Sequence, residues 1–303
     1  MAARVIPNKL IQSFEYDYAD TDKLKTIDTS LLYEELRHQY HGRRDHVEVD
    51  FRQLISWLKI GNQLTHHIHP YPAKLLPHIA HFFIRASTLH QGKKSVLDPF
   101  CGSGTVALEA SMAGCQPYIA DANPFAVLLS KVKTTPYDTE ALKASGHALI
   151  RRASRYKNAQ QVSIVNDHLW YPSDQKKALE ILLRAVNDVE DPNERDFFKI
   201  CFSAVARKVS FADPAVSVPV RLRTKDSRTS AANEKIRTRL HWVRDVRPLD
   251  ELVRIIEANI RRVEEANISY PKRVQALQVG ADARNLIQPG YKIKSMAENS
   301  IPL

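Results

Sequence analysis

The chain has 303 residues, 44% of them hydrophobic, enough to bury a full core in one large domain that carries an insertion. Lysine and arginine leave a formal net charge of +10, which favours a polyanionic partner, because basic side chains release the counterions condensed on phosphates. Three scattered cysteines, Cys101, Cys115 and Cys201, exclude a disulfide framework or zinc cluster and point to a reduced, cytoplasmic setting; no leader pattern is present, and no uncharged apolar run reaches the roughly 18 residues that span a bilayer.

Residues 1–62 predict an amino-terminal helical extension, with helices at 31–40 and 51–60. A core is expected over 63–135. Beyond a turn rich in His and Pro, a helix is expected at 75–87, then the apolar strand Ser95-Val96-Leu97, a helix over 105–113, a strand ending at Ile119 and Ala120, and a helix from Pro124. This alternation predicts an α/β, Rossmann-like parallel sheet, whose ligand crevice lies beyond the carboxyl ends of the strands. From 136 to 270 the pattern turns mainly helical, as an insertion between strands, with helices at 139–156, 173–189, 194–209 and 249–263. In the last of these, Leu249, Leu252, Val253, Ile256, Ile260 and Val263 recur at the spacing of a core-facing stripe. Residues 271–303 supply a third core strand at 274–279 and a tail, expected to be loose or partner-dependent from 288 on.

The residues that carry chemistry fall at strand ends. In Asp98-Pro99-Phe100-Cys101-Gly102-Ser103-Gly104-Thr105 a carboxylate ends one strand, two glycines allow a tight turn and close ligand approach, and the helix from Thr105 offers free amides to an anionic group. Asp98 then serves the ligand's cationic end or orients the loop. Asp121, 17 residues beyond the second glycine, is placed to accept two ribose hydroxyls, and Asp282 to accept an adenine amino group. One such acid alone is a helix cap or loop carboxylate; three at successive strand ends outline a nucleoside site. A nicotinamide-binding fingerprint is mimicked by Gly102, Gly104, Ala107 and Asp121, but leaves Asp98-Pro99 unexplained.

These strings resemble those of the S-adenosylmethionine-dependent DNA methyltransferases that modify exocyclic amino groups, at cytosine N4 or adenine N6. Asp98 to Thr105 is similar to the family's cofactor loop, which includes Pro99 and Phe100. The stretch His69-Pro70-Tyr71-Pro72-Ala73-Lys74 resembles its His-Pro element, which closes over the methionine part of the cofactor. Asp121-Ala122-Asn123-Pro124 and Asp282-Ala283-Arg284 resemble the second and third acidic motifs. The resemblance spans about 65–135 and 274–286. It implies S-adenosylmethionine as cofactor, with His69, Tyr71, Ala73, Lys74, Asp98, Pro99, Phe100, Gly102, Gly104, Thr105, Asp121, Asn123, Asp282 and Ala283 at its site.

The family also needs, after a fourth strand, an Asp, Asn or Ser followed by Pro-Pro and an aromatic residue, which holds the flipped base. None of the 16 prolines here is adjacent to another. The sheet is therefore expected to be incomplete, with candidates for about its first three strands and no catalytic residue. Three explanations are open: a split enzyme whose other half is a second chain, a truncated product, or a binding protein without catalysis. An RNA amino-methyltransferase is the enzymatic alternative; the His-Pro element argues against it.

Between Arg221 and Arg247 lie nine basic residues and three acidic ones. Within this segment Arg221, Arg223, Lys225, Arg228, Lys235, Arg237 and Arg239 are the expected DNA-backbone contacts, on a surface or a flexible arm. His66, His67 and His69 lack acidic or cysteine partners at ligand spacing, so no metal is expected, and nothing marks Cys101 as a nucleophile.

Overall fold

The structure, a computed structural model, describes residues 27–43, 46–56, 64–72, 74–216, 218–286 and 300–302. The chain forms two compact units, and the second takes in 67–73 as well as 137–265.

Among the described residues, the first unit begins with helices α1 (Ser30–Arg43), α2 (Phe51–Leu54), α3 (Pro77–Arg85) and α4 (Ser87–His90). Leu32, Leu54, Ile55 and Phe82 form one apolar cluster that joins α1, α2 and α3. The helix expected over 51–60 ends at Leu54, and 57–60 lie outside the described residues. The single helix expected over 75–87 is two: Pro77 starts α3, and Ala86, in an extended conformation, separates it from α4.

Strand β1 (Ser95–Asp98) leads through the glycine loop into α5 (Thr105–Met112), then β2 (Gln116–Ala120) and α6 (Pro124–Thr134). Helix α5 is buried on nearly every side, which its small and apolar residues Ala107, Leu108 and Ala110 allow. The Asn123 side chain caps α6 by accepting from the Phe125 amide, and Pro124 occupies the first turn, where no amide hydrogen is needed.

Strand β3 (Leu277–Gly280) lies on the far side of β2, and β4 (Ser300–Pro302) pairs with β1, giving a parallel sheet of order β3-β2-β1-β4. Two expectations are corrected. The third strand starts at Leu277, not 274, because Val274 spends both its backbone groups on the Ser111 hydroxyl and Ala276 donates to the Thr134 hydroxyl, taking them off the strand ladder. The tail is not loose throughout: residues 300–302 add a fourth strand with Val96 opposite Ile301, while 287–299 lie outside the described residues. Strand order reverses at β1, which is where an open parallel sheet leaves a crevice.

The second unit is helical, with α7 (Thr139–Arg155), α8 (Ser173–Asn187), α9 (Pro192–Lys208), α10 (Ser230–Asp245) and α11 (Pro248–Ser269), the last running on into the first unit. The stripe expected on α11 is its buried face: Leu252, Ile256, Ile260 and Val263 are at most 5% exposed. Leu142, Leu149, Phe197 and Phe198 are likewise buried, and Gly146 on α7 faces Ile256 and Phe198. The basic segment is not an arm along its whole length, since α10 fills 230–245 and is anchored by buried Ile236 and Val243.

Among the described residues no helix is long and apolar enough to cross a membrane.

Candidate functional site

Backbone geometry ties the glycine loop to both flanking strands. The Cys101 amide donates to the Ala120 carbonyl at 3.0 Å, the Gly104 amide to the Cys101 carbonyl at 2.7 Å, and the Gly102 amide to Asp121 Oδ2 at 2.8 Å. Asp121 Oδ1 accepts from the Asn123 amide, also at 2.8 Å. One carboxylate thus holds the loop after β1 and the turn after β2, and each of its oxygens keeps lone-pair capacity for another donor.

Gly102 and Gly104 have φ of +47° and +71°. At Gly104 a Cβ would lie 2.5 Å from Ser130 Oγ and 2.8 Å from its Cα, so the position needs glycine both for its torsion and for the close approach of α6. Gly104 caps α5 without a side-chain bond, which leaves the first amides of the helix to an incoming acceptor.

Asp98 accepts from the Phe100 amide at 3.2 Å. Burial, and then the neighbouring Asp121 charge, hold its carboxyl above the usual carboxylate range, while the Phe100 amide opposes them. Two acids sharing one end of the sheet are relieved by a cation. Phe100 is 76% exposed, and the buried Cys101 thiol is pushed up to about 12 by burial, which makes it a poor nucleophile.

Asp282 comes after β3 at the same end of the sheet, but its carboxylate is engaged. Arg284 donates to it from its backbone amide at 2.9 Å and through its guanidinium at 2.7 Å to 3.2 Å, which holds the carboxyl below its usual value. Ala283 lies in the turn they close.

The structure brings Asp98, Gly102, Asp121 and Asn123 together directly, with Pro99 and Thr105 in the same loop. His69 and Tyr71 belong to the second unit, where His69 Nε2 lies 3.1 Å from Ser203 Oγ and buried Asn259 donates to the Ile68 carbonyl at 3.0 Å. Lys74 belongs to the first unit and donates to the His66 carbonyl at 3.1 Å; Ala73 lies outside the described residues. His66 and His81 flank the buried Glu109 at 2.8 Å and 3.0 Å. Among the described residues no group of three or more His, Cys, Asp or Glu side chains is arranged to hold a metal ion.

Sequence reasoning missed Lys133. It is fully buried on α6, and its Nζ donates to the Ser103 carbonyl of the glycine loop at 2.6 Å. The one signal for it was its place on the buried face of α6, in line with Ala126, Leu129 and Ser130.

Of the basic residues, Arg223, Lys225, Arg228, Lys235 and Arg237 are exposed, and Arg221 is half-buried. Arg239 is taken up by the fold: its guanidinium lies 4.2 Å from the centre of the Trp242 ring and donates to the Lys208 carbonyl.

A parallel β3-β2-β1-β4 sheet with a double-glycine loop after β1 and an acid after β2 is an incomplete Rossmann-like methyltransferase fold. Residues 67–179 match the model of the RMKL-like methyltransferase domain family, so the motif-based resemblance to S-adenosylmethionine-dependent methyltransferases holds over that part of the chain. The chain is 27% identical over 172 residues to the type II methyltransferase M.MvaI of Kocuria varians, covering 53% of this chain and 38% of that protein. With the type II methyltransferase M.MjaII of Methanocaldococcus jannaschii it shares 27% identity over 126 residues, 42% of this chain and 23% of the relative. The alignments thus take in well under half of either relative. No solved structure matches the chain.

Proposed function

We propose that this chain is the S-adenosylmethionine-binding part of a DNA methyltransferase that modifies an exocyclic amino group, cytosine N4 or adenine N6. The observation that carries the reading is the arrangement of Asp98, Gly102 and Asp121 at the ends of β1 and β2. Its chemistry suits a zwitterionic sulfonium nucleoside. The open amino terminus of α5 favours a carboxylate, the raised Asp98 is relieved by an ammonium or sulfonium charge, and Asp121 keeps acceptor capacity for two hydroxyls. Asp282, already paired with Arg284, serves the adenine edge with the capacity it has left.

When bound, S-adenosylmethionine supplies an electrophilic methyl group. The residues of this chain bind and orient that donor, so that an amino nitrogen brought up in line attacks it. The 303 residues contain no Pro-Pro pair, so the element that holds the flipped base comes from a segment outside them, on a second chain or elsewhere. DNA is held through phosphate contacts from the exposed members of the 221–247 set, Arg223, Lys225, Arg228, Lys235 and Arg237.

Calorimetric titration with S-adenosylhomocysteine tests the reading. Binding is expected, and Asp121→Ala should weaken it by about 1.5–3 kcal/mol, the scale of a charge-assisted hydrogen bond. Asp121→Asn, which keeps an acceptor for the Gly102 amide, should lose less. Unchanged affinity in a folded Asp121→Ala chain would sink the assignment.

A further inference from the structure

Outside the nucleoside site, the most unusual surface is a short hairpin in the second unit. Its root is firm: Ala212 and Arg221 form an antiparallel bridge, the Leu222 amide donates to the Phe211 carbonyl at 2.8 Å, the Asp213 amide to the Val220 carbonyl at 2.7 Å, and the Phe211 amide to the Trp170 carbonyl at 2.8 Å. Phe211, Ala212 and Leu222 are buried, and the Arg244 guanidinium lies 5.5 Å from the centre of the Phe211 ring. The tip is the reverse. Val216, Val218 and Val220 are 38%, 56% and 50% exposed, and no charged residue stands between Asp213 and Arg221.

Exposed single apolar residues need no explanation, but three valines carried above one hydrogen-bonded root do. The chain on either side of them is cationic. Arg223, Lys225 and Arg228 are exposed within eight residues of the valines against two carboxylates, Asp213 and Asp226, and Arg207 donates to the Val216 carbonyl from the other side. An apolar point bracketed by cations matches a nucleic-acid groove, whose stacked bases are apolar and whose rims are phosphate.

We infer that Val216, Val218 and Val220, exposed above the root formed by 211–213 and 220–222, act as a wedge that enters a groove of duplex DNA and partly unstacks a base step, while Arg223, Lys225 and Arg228 hold the flanking phosphates. This rests on the proposed role in DNA methylation and adds to it an element that deforms the duplex. The two kinds of contact leave different signatures. Phosphate contacts set the salt dependence of binding, whereas apolar insertion contributes affinity and bending without releasing counterions.

The test measures anisotropy and end-to-end energy transfer on a doubly labelled duplex, with the whole chain, over a series of salt concentrations. V218S combined with V220S should weaken binding roughly tenfold, the scale of leaving part of two valine side chains unburied, and reduce the bend, with the salt slope unchanged. Arg223→Gln combined with Lys225→Gln should lower the salt slope by about 2. Both pairs are exposed, and a thermal melt checks that the variants are folded. Unchanged affinity and bend in the serine pair overturn the inference. So does a self-associated chain that the serine pair converts to monomer, or serine-sensitive binding to phosphatidylglycerol vesicles without duplex binding. Titration with S-adenosylhomocysteine separates the two readings: a wedge effect without cofactor binding upholds the wedge and sinks the cofactor site, while cofactor binding without duplex affinity at any salt sinks the wedge.

Discussion

Lys133 is a charged group where the fold offers almost no solvation. Burial, helped by the Lys74 charge, pulls its pKa from the usual 10.5 down to about 7. Between those two values the unfolded chain holds a proton that the native chain lacks, so Lys133 makes native stability rise with pH from about 7 to 10.5. Urea unfolding across that range should show the rise in the wild type and lose it in Lys133→Met. The same variant removes the donor to the Ser103 carbonyl and should weaken S-adenosylhomocysteine binding severalfold. A pH profile unchanged by the substitution would show that Lys133 does not titrate there. The positions of Asp98, Asp121 and the two glycines were legible in the sequence because they follow from where strands end. Lys133, the Glu109 pair of histidines and the Arg284 clasp on Asp282 were not. Each depends on which side chain or carbonyl the fold delivers opposite, and spacing along the chain does not encode that.

At the scale of elements, two hydroxyls dock the segment leading into β3: Thr134 accepts from the Ala276 amide, and Ser111 holds Val274. Ser111 Oγ on α5 donates to the Val274 carbonyl at 2.6 Å and accepts from the Val274 amide at 3.0 Å, with Ser111 itself fully buried. Ser111→Ala leaves both backbone groups without that partner and should cost about 2 kcal/mol, read by denaturant unfolding. Amide exchange should quicken first in β3, and uniform exchange across the sheet would contradict this role for the hydroxyl. Strands β1 and β2 and the helices with a strong apolar stripe were legible, since alternation and helical spacing are local signals. Helix α10 was not: its buried contacts reduce to Ile236 and Val243 in a stretch dominated by charge, so it read as a basic surface or a flexible arm with no helix assigned. Strand β4 escaped because Ser-Ile-Pro is too short to carry a period.

At the scale of the molecule, the two units are interleaved in sequence. The first is assembled from three segments and the second from two, with 67–73 separated from its unit by the sheet's first half. A sheet interrupted by a helical insertion was legible from the change in periodicity near 136. That the His-Pro segment joins the inserted unit was not, because it depends on the Asn259 bond to Ile68 and the His69 contact with Ser203, far apart along the chain.

The pairing of β1 with β4 sets Ser95 beside Ser300, so the sheet closes only when chain segments some two hundred residues apart meet. Such a contact brings its reward after a large loss of loop entropy, whereas the helices between form from near neighbours. Refolding should therefore be sequential. In pulse-labelled exchange after dilution from urea, amides of α7, α9 and α11 should become protected before those of β1, and simultaneous protection would argue against this order. Until the sheet closes, the apolar flank of β1 at Val96 stands open to pairing with another copy, which makes aggregation during refolding, more than loss of equilibrium stability, the hazard this topology carries.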